Sequence, residues 1–412
     1  MRVLPITCYR PTPQAAPTFA ALPYDVFNRS EAAAYVAEHP QSFLAIDRPE
    51  TAFGPEQDMY APEVYEKAGE LVRSKAYDGT LLKDQTPCFY LYRLEQDGRT
   101  QTGVVAACTV AEYEDGTIRR HENTRPEKTH DRVRHIRALE AQTGPVFLAY
   151  RDNMVVDVIV DAARTADPLY DFTDEQGVHQ TVWRIARPVA VESLETAFAG
   201  VPHAYIADGH HRASAAVQVA HELRQEAGDP AEELPSDAFL AVLFPASQLT
   251  VMAYNRVVAD TNGLAEDELL AAVANAGFVV GEPSETPVTP TSPRSFGLYA
   301  FGVWRELAYV GPSPDPAVDP AGALDVSLLQ EHLLGPVLGI DDPRTSERIT
   351  FVGGIEGTGG LERRAGADGI AFTLFPTTVD ELMSVSDANM LMPPKSTWFE
   401  PKLRSGLFIR RV

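Results

Sequence analysis

The sequence reads as a mixed chain of helices and strands in two or three domains, and three observations lead there. Apolar runs of strand length alternate with segments of helical period across residues 1–260. Two of those runs are joined by Asp97-Gly98, the strongest short-range hairpin signal. After Asp260 the composition changes, and two proline-rich pieces, Glu282 to Pro293 and Pro312 to Pro320, punctuate what reads as a smaller α/β module over 261–385. With 412 residues and 44% hydrophobic content, the chain can bury a sizeable core.

Taken in order, Glu31 to Glu38 reads as a short helix, Ser42 to Ile46 as a strand and Pro62 to Lys75 as an amphipathic helix. Cys88 to Leu94 and Thr102 to Val110 form the two arms of the hairpin. A charged helix from Arg125 to Ala141 stops before Thr143-Gly144-Pro145. Strand Val146 to Tyr150, a helix over Val155 to Arg164 and strands Thr181 to Ile185 and Phe239 to Phe244 complete a first domain, 1–260. The second module holds strands at Phe296 to Phe301, Glu306 to Val310, Ile349 to Val352 and Ile370 to Phe375, with a helix from Val326 to Leu338. Residues 386–412 mix prolines with Trp398, Phe399 and several cations, so they are expected to pack back on the body, as part of a pocket or as a plain structural clasp.

Thirty-five Lys and Arg stand against 58 Asp and Glu, a net charge of −23, which opposes binding to nucleic acid or anionic membranes. Any anion site must therefore be local. Three cysteines without zinc-like or C-x-x-C spacing fit a reducing, cytoplasmic setting. Neither a signal peptide nor a membrane span is expected. The zincin, α/β-hydrolase and cysteine-peptidase signatures do not occur.

The most informative peptide is Tyr205-Ile206-Ala207-Asp208-Gly209-His210-His211-Arg212 with the alanine-rich stretch after it. An apolar lead runs through a polar turn into a small-residue helix. Asp208 stands where an N-cap belongs, Gly209 permits a turn that other residues resist, and His210, His211 and Arg212 add donors beside the helix start. Phosphate suits such a corner. The alternative is a plain capped helix with solvated histidines. A second basic island runs from Arg119 through His121, Glu122, Asn123, Thr124 and Arg125 into a helix on which Lys128, Asp131, Arg132 and His135 share a face. It suits a clamp for a nucleotide tail or, alternatively, a solvated ion-paired helix. Glu122 and Asn123 are candidates to hold a metal ion or orient phosphate oxygens. In Pro23-Tyr24-Asp25-Val26, partial burial of Asp25 would raise its pKa and make it a base. The glycine-rich Gly353 to Gly360 matches no phosphate-loop pattern.

Pro23-Tyr24-Asp25-Val26, His121-Glu122-Asn123-Thr124, Asp208-Gly209-His210-His211-Arg212 and Met392-Pro393-Pro394-Lys395-Ser396-Thr397 together resemble, in order, the signature blocks of the DUF 1015 family. That family is similar to the ParB/sulfiredoxin-like superfamily, which includes ADP- and ATP-dependent free-serine kinases. The resemblance implies an α+β nucleotide-binding fold, and phosphoryl transfer to or from a small hydroxyl compound such as serine. Where ParB proteins carry Gly-Glu-Arg-Arg, this chain has Gly209-His210-His211-Arg212, so CTP specificity and the DNA-clamp role do not carry over.

Two functions follow. In the first, a phosphotransferase, Asp208 to Arg212 and the basic segment Arg125 to Arg132 hold the phosphates of ADP or ATP, and Mg²⁺ bridges them. An acid then activates the acceptor. Asp25 is the candidate base and Glu122 its rival; His211 is a further catalytic candidate, Asp208 a metal ligand or a cap, and Lys395, Ser396 and Thr397 candidates for the small-molecule substrate. In the second, a nucleotide sensor changes shape or forms a homodimer without chemistry.

Overall fold

A computed structural model describes all 412 residues, which fall into two compact units. The first comprises Met1–Arg119, Asn123–Leu249 and Pro401–Val412; the second comprises Arg120–Glu122 and Thr250–Glu400. This partition differs from one at 260 and 385, because Thr250 to Asp260 and the residues from 386 to 400 belong with the second unit. The reason is strand pairing. Tyr254–Val258 is an inner strand of the second unit's sheet, and Trp398–Glu400 pairs with Thr250–Met252.

The first unit is built on a nine-stranded mixed sheet. Its order is Ile118–Arg119, Ala204–Asp208, Val146–Tyr150, Ala238–Pro245, Arg99–Thr109, Phe89–Gln96, His179–Ile185 and Tyr170–Thr173, with Val3–Leu4 paired beside Arg99–Thr109. The hairpin forms at Asp97-Gly98, whose φ values of 52° and 76° are those that a two-residue primed turn requires. Val146–Tyr150 runs parallel to Ala238–Pro245 and antiparallel to Ala204–Asp208. Helices Pro126–Leu139, Met154–Ala163, Pro188–Ala199 and His210–Glu226 send Val133, Ile136, Val156, Phe198, Ala213 and Val219 into one core with Val104, Leu148, Ile206 and Leu243 of the strands. Each large side chain in such a core contributes about 1.5–3 kcal/mol.

A four-stranded sheet, Leu81–Lys83, Cys8–Pro11, Ile409–Arg411 and Ala141–Gln142, belongs to the same unit. A second core, including Phe19, Phe43, Leu44, Ile46, Leu139 and Ile409, lies with it. Ser42 to Ile46, read above as a strand, is instead the approach to a short helix, Leu44–Asp47. An apolar run this short has no decisive period, and the structure buries Phe43, Leu44 and Ile46 together. The edge strand Tyr170–Thr173 was not foreseen.

The second unit contains a six-stranded sheet in the order Phe278–Val280, Val303–Tyr309, Ser295–Ala300, Ile370–Leu374, Tyr254–Val258, Ile349–Gly353. Every pairing is antiparallel, so the module is not of the parallel α/β kind. Trp304, Val257, Val352, Leu361 and Ala371 form its packed centre, and the Trp304 indole donates to Glu362 at 2.7 Å. The helix foreseen over Val326 to Leu338 divides into an α-helix, Asp325–Leu329, and a π-helical turn, Gln330–Leu334. The glycines from Gly353 onward form a tight turn and the helix Gly357–Ala365. No helix in either unit is long and apolar enough to cross a membrane.

Candidate anion-binding site

The strand Ala204–Asp208 ends in a bulge. Ile206 faces Leu148 across the ladder, yet Asp208 faces Phe147, so one extra residue is accommodated at Ala207 and Asp208 turns to the face opposite Ile206. Gly209 then adopts φ 97°, ψ 29°, and the seventeen-residue helix His210–Glu226 begins. Gly209, not Asp208, is the N-cap residue, and no side chain caps the helix. The bulge explains this, because it carries the Asp208 carboxylate to other partners. Its Oδ2 accepts from Arg212 Nη2 at 2.7 Å, and its Oδ1 lies 3.6 Å from Lys402 Nζ. A Cβ at Gly209 would sit 3.0 Å from the Arg212 guanidinium, so glycine is needed both for its φ and for the fold of Arg212 over the turn.

Arg212 also donates to the carbonyl of Pro145 and borders a small cavity of about 30 Å³ within the first unit. Across that cavity stand Arg132 and His135 from the helix Pro126–Leu139, with Tyr24, Asp47, Gln142, Thr143 and Ser405. The Arg132 guanidinium stacks on the Tyr24 ring, 3.8 Å from its centroid, and pairs with Asp131 through Nε at 2.9 Å and Nη2 at 2.7 Å. Tyr65 donates to the other Asp131 oxygen at 2.8 Å. Burial works against the charge on both partners. The Asp131 charge nevertheless keeps the Arg132 pKa above its ordinary value, and Arg132 with Tyr65 keeps Asp131 below the usual carboxylate range. Burial and the neighbouring Arg132 push His135 down, so its imidazole is neutral near pH 7. Its Nε2 lies 2.9 Å from the Ile46 carbonyl and 3.8 Å from Asp47 Oδ1, which also accepts from Thr143 Oγ1 at 3.1 Å.

Thus the structure brings Arg132 and Arg212 together from segments eighty residues apart in sequence and sets a buried carboxylate, Asp47, beside them. Sequence reasoning missed Asp47, whose only local signal was its place after an apolar run. Tyr24, rather than its neighbour Asp25, lines the cavity; Asp25 is exposed, and the partial burial expected of it is absent. Arg48, paired with Glu50 at 2.6 Å, holds this segment by donating to the carbonyl of Tyr24 at 3.0 Å. On the basic helix the expected shared face is not uniform, since Lys128 is exposed while Arg132 and His135 are buried. Asn123 and Arg125 are exposed and Thr124 is half-buried. His210 is buried and His211 half-buried, and of the helix's first three residues only Arg212 borders the cavity.

The remaining candidates belong to the second unit. His121 is buried there, its carbonyl accepting from the Met392 amide at 2.8 Å, and Glu122 is half-buried. Ser396 is buried and donates to the Pro393 carbonyl at 2.7 Å, Thr397 is half-buried, and Lys395 is exposed with Nζ 5.6 Å from the centre of the Tyr254 ring.

These features define a mixed α and β protein whose first unit gathers two ion-paired arginines around a small cavity. The chain belongs to the family described as "Protein of unknown function (DUF1015)", whose profile matches residues 3–327. No curated protein matches the sequence. Among solved structures it is similar to SbnI with a C-terminal truncation from Staphylococcus aureus, at 11% identity and a TM-score of 0.37, covering 74% of this chain and 87% of that one. It is similar also to a free serine kinase in complex with AMP, at 12% identity and a TM-score of 0.35, covering 75% and 91%. A conserved hypothetical protein from Pyrococcus furiosus matches at 13% identity with a TM-score of 0.37, covering 75% and 95%.

Proposed function

We propose that the first unit is a nucleotide-binding core of the ParB/sulfiredoxin-like kind and that the protein transfers a phosphoryl group between ADP or ATP and a small hydroxyl compound. The observation that supports this most directly is the convergence of Arg132 and Arg212, from two helices, on one cavity beside a glycine-opened helix start. Guanidinium forks match phosphoryl oxygens, and phosphoryl transfer is catalysed mainly by positioning and charge neutralisation. In the forward direction the acceptor oxygen bonds to the terminal phosphorus. The bond from that phosphorus to the bridging oxygen breaks, its electron pair leaves with the shortened nucleotide, and the hydroxyl proton passes to a base. Asp47 is the carboxylate that borders the cavity and is our first candidate for that base; Asp25, Glu122 and His211 are the others.

Mg²⁺ would neutralise charge on the nucleotide's own phosphates. Asp208 fits poorly as its ligand, because Arg212 and Lys402 already attend its two oxygens. Glu122 is the remaining carboxylate proposed for the metal, and Lys395, Ser396 and Thr397 remain proposed for the small substrate.

Incubation of the protein with ADP or ATP, Mg²⁺ and L-serine should yield phosphoserine, read by phosphorus NMR or mass spectrometry. Nucleotide binding without turnover on serine or any other small alcohol would replace this reading with the sensor. One observation favours that second reading. Both arginines already hold carboxylates, so an arriving anion must take Arg212 from Asp208, and such an exchange of partners is how a binding event becomes a change of shape.

A further inference from the structure

Most buried arginines of this protein have a carboxylate. Arg48 has Glu50 at 2.6 Å, Arg132 has Asp131 at 2.7 Å, Arg305 has Glu266 at 2.7 Å and Arg404 has Asp174 at 2.5 Å. Arg410 lacks one, but its guanidinium donates to the carbonyls of Ala238 and Pro235 and to the Gln142 side chain. Arg256 stands apart. It is 3% exposed, no carboxylate lies within ion-pair distance, and its one hydrogen bond runs from Nη1 to the carbonyl of Tyr254. Burial lowers its pKa to about 10. Leaving a guanidinium so placed without a counter-charge is costly, and a fold tolerates it where something else supplies the charge.

Its surroundings suit such a guest. Tyr254 and Arg256 are two residues apart on one strand and so share a face of the second unit's sheet. Across the ladder Tyr254 faces Gly353 and Arg256 faces Phe351, whose ring centre lies 5.0 Å from the guanidinium carbon. Trp398 stands edge-on to Tyr254 with ring centroids 5.1 Å apart. It reaches that position over Gly353, where a Cβ would come within 2.7 Å of the indole. The Tyr254 ring has Lys395 Nζ 5.6 Å from its centre, and Lys395 holds a left-handed backbone conformation, φ 58°. One buried guanidinium, one exposed ammonium and three aromatic rings therefore surround a single stretch of sheet.

We propose that Arg256 and Lys395 form an oxyanion-binding site of the second unit, walled by Tyr254, Phe351 and Trp398, for a ligand that presents a carboxylate or a phosphate. The forked guanidinium supplies geometry and the lysine a second charge. This site shares Lys395 with the substrate residues proposed above but does not depend on the cavity of the first unit, and Arg256 with its aromatic walls is tested separately from the phosphotransferase reading.

The test uses the full chain in chloride buffer at constant ionic strength, titrated separately with inorganic phosphate and with acetate, reading heat and melting temperature. At least one anion should bind saturably. Arg256→Lys keeps the charge but loses the fork, and should weaken that binding tenfold or more; Lys395→Ala should weaken it several-fold. Arg256→Met should abolish the response while melting no lower than the parent protein in chloride. A response to phosphate alone identifies a phosphorylated ligand, and a response to acetate alone identifies a carboxylic acid; both support the site. The proposal is overturned if neither anion binds saturably, or if Arg256→Lys and Lys395→Ala leave the response unchanged. Should Arg212→Ala abolish the response while Arg256→Lys preserves it, the anion sits in the first unit's cavity, and this proposal falls while the nucleotide reading survives.

Discussion

Arg132 and Arg256 are both buried arginines stacked on an aromatic ring, yet they solve the same electrostatic problem in opposite ways. In the first unit Arg132 is matched by Asp131, which is itself fixed by Tyr65. In the second, Arg256 leans on one backbone carbonyl. A matched pair makes the folded state self-sufficient, and a ligand must compete with the resident carboxylate. An unmatched cation keeps its attraction for whatever arrives. The contrast teaches that burial alone does not mark a binding residue; the count of charges around it does.

The largest expected effect is on the matched side. Arg132→Ala strands Asp131 in a buried setting and removes the lid on Tyr24, and should cost about 3–5 kcal/mol in urea denaturation. A loss below about 1 kcal/mol would show that the pair is solvated and would dissolve the contrast. Arg212→Ala comes next, weakening nucleotide binding by about 1.5–3 kcal/mol, roughly tenfold or more by calorimetry. Unchanged affinity would remove the cavity from the site. Gly209→Ala imposes a left-handed backbone on alanine and presses a methyl against Arg212, so it should lower stability by about 1–3 kcal/mol.

The smallest effect concerns acid, and here the two units should respond with opposite signs. Asp131 has a depressed pKa in the folded state, so its contribution is present above the ordinary carboxylate range and is lost as pH falls through the folded value. Asp325 is the reverse. Burial raises its pKa to about 6, although the Arg294 amide at 2.9 Å opposes the shift. Its contribution is therefore complete below about pH 4 and fades as pH rises through 6. Stability measured from pH 4 to 7.5 should show Asp325→Asn gaining about 1–2 kcal/mol on the parent protein towards neutral pH. A constant difference across that range would contradict the sign.

How much of this was legible in the sequence depended on whether the signal was local. The Asp97-Gly98 turn, the helix after Gly209 and the strands Val146–Tyr150 and Ile370–Leu374 are set by neighbouring residues, and all were read within a residue or two. Asp208 was misread as a cap because the residue type is right and the spacing nearly so. The bulge that diverts it is a property of pairing with Val146–Tyr150, which no local pattern reports. Likewise Asp47 and Tyr24 line the cavity beside Arg132 and His135 of the helix Pro126–Leu139, far along the chain. Arg256 left no trace at all, since a missing counter-charge is visible only once every neighbour is known.

The strand Ile409–Arg411 lies between Cys8–Pro11 and Ala141–Gln142 in the first unit's small sheet, so that sheet closes only with residues translated after the whole of Thr250–Glu400. On the ribosome the opening half of the polypeptide must wait, with two strand edges open, while an entire second unit emerges. Chains arrested anywhere before Ile409 should thus offer those edges to chaperones or to each other, and their solubility should recover when the missing strand is added as a separate peptide.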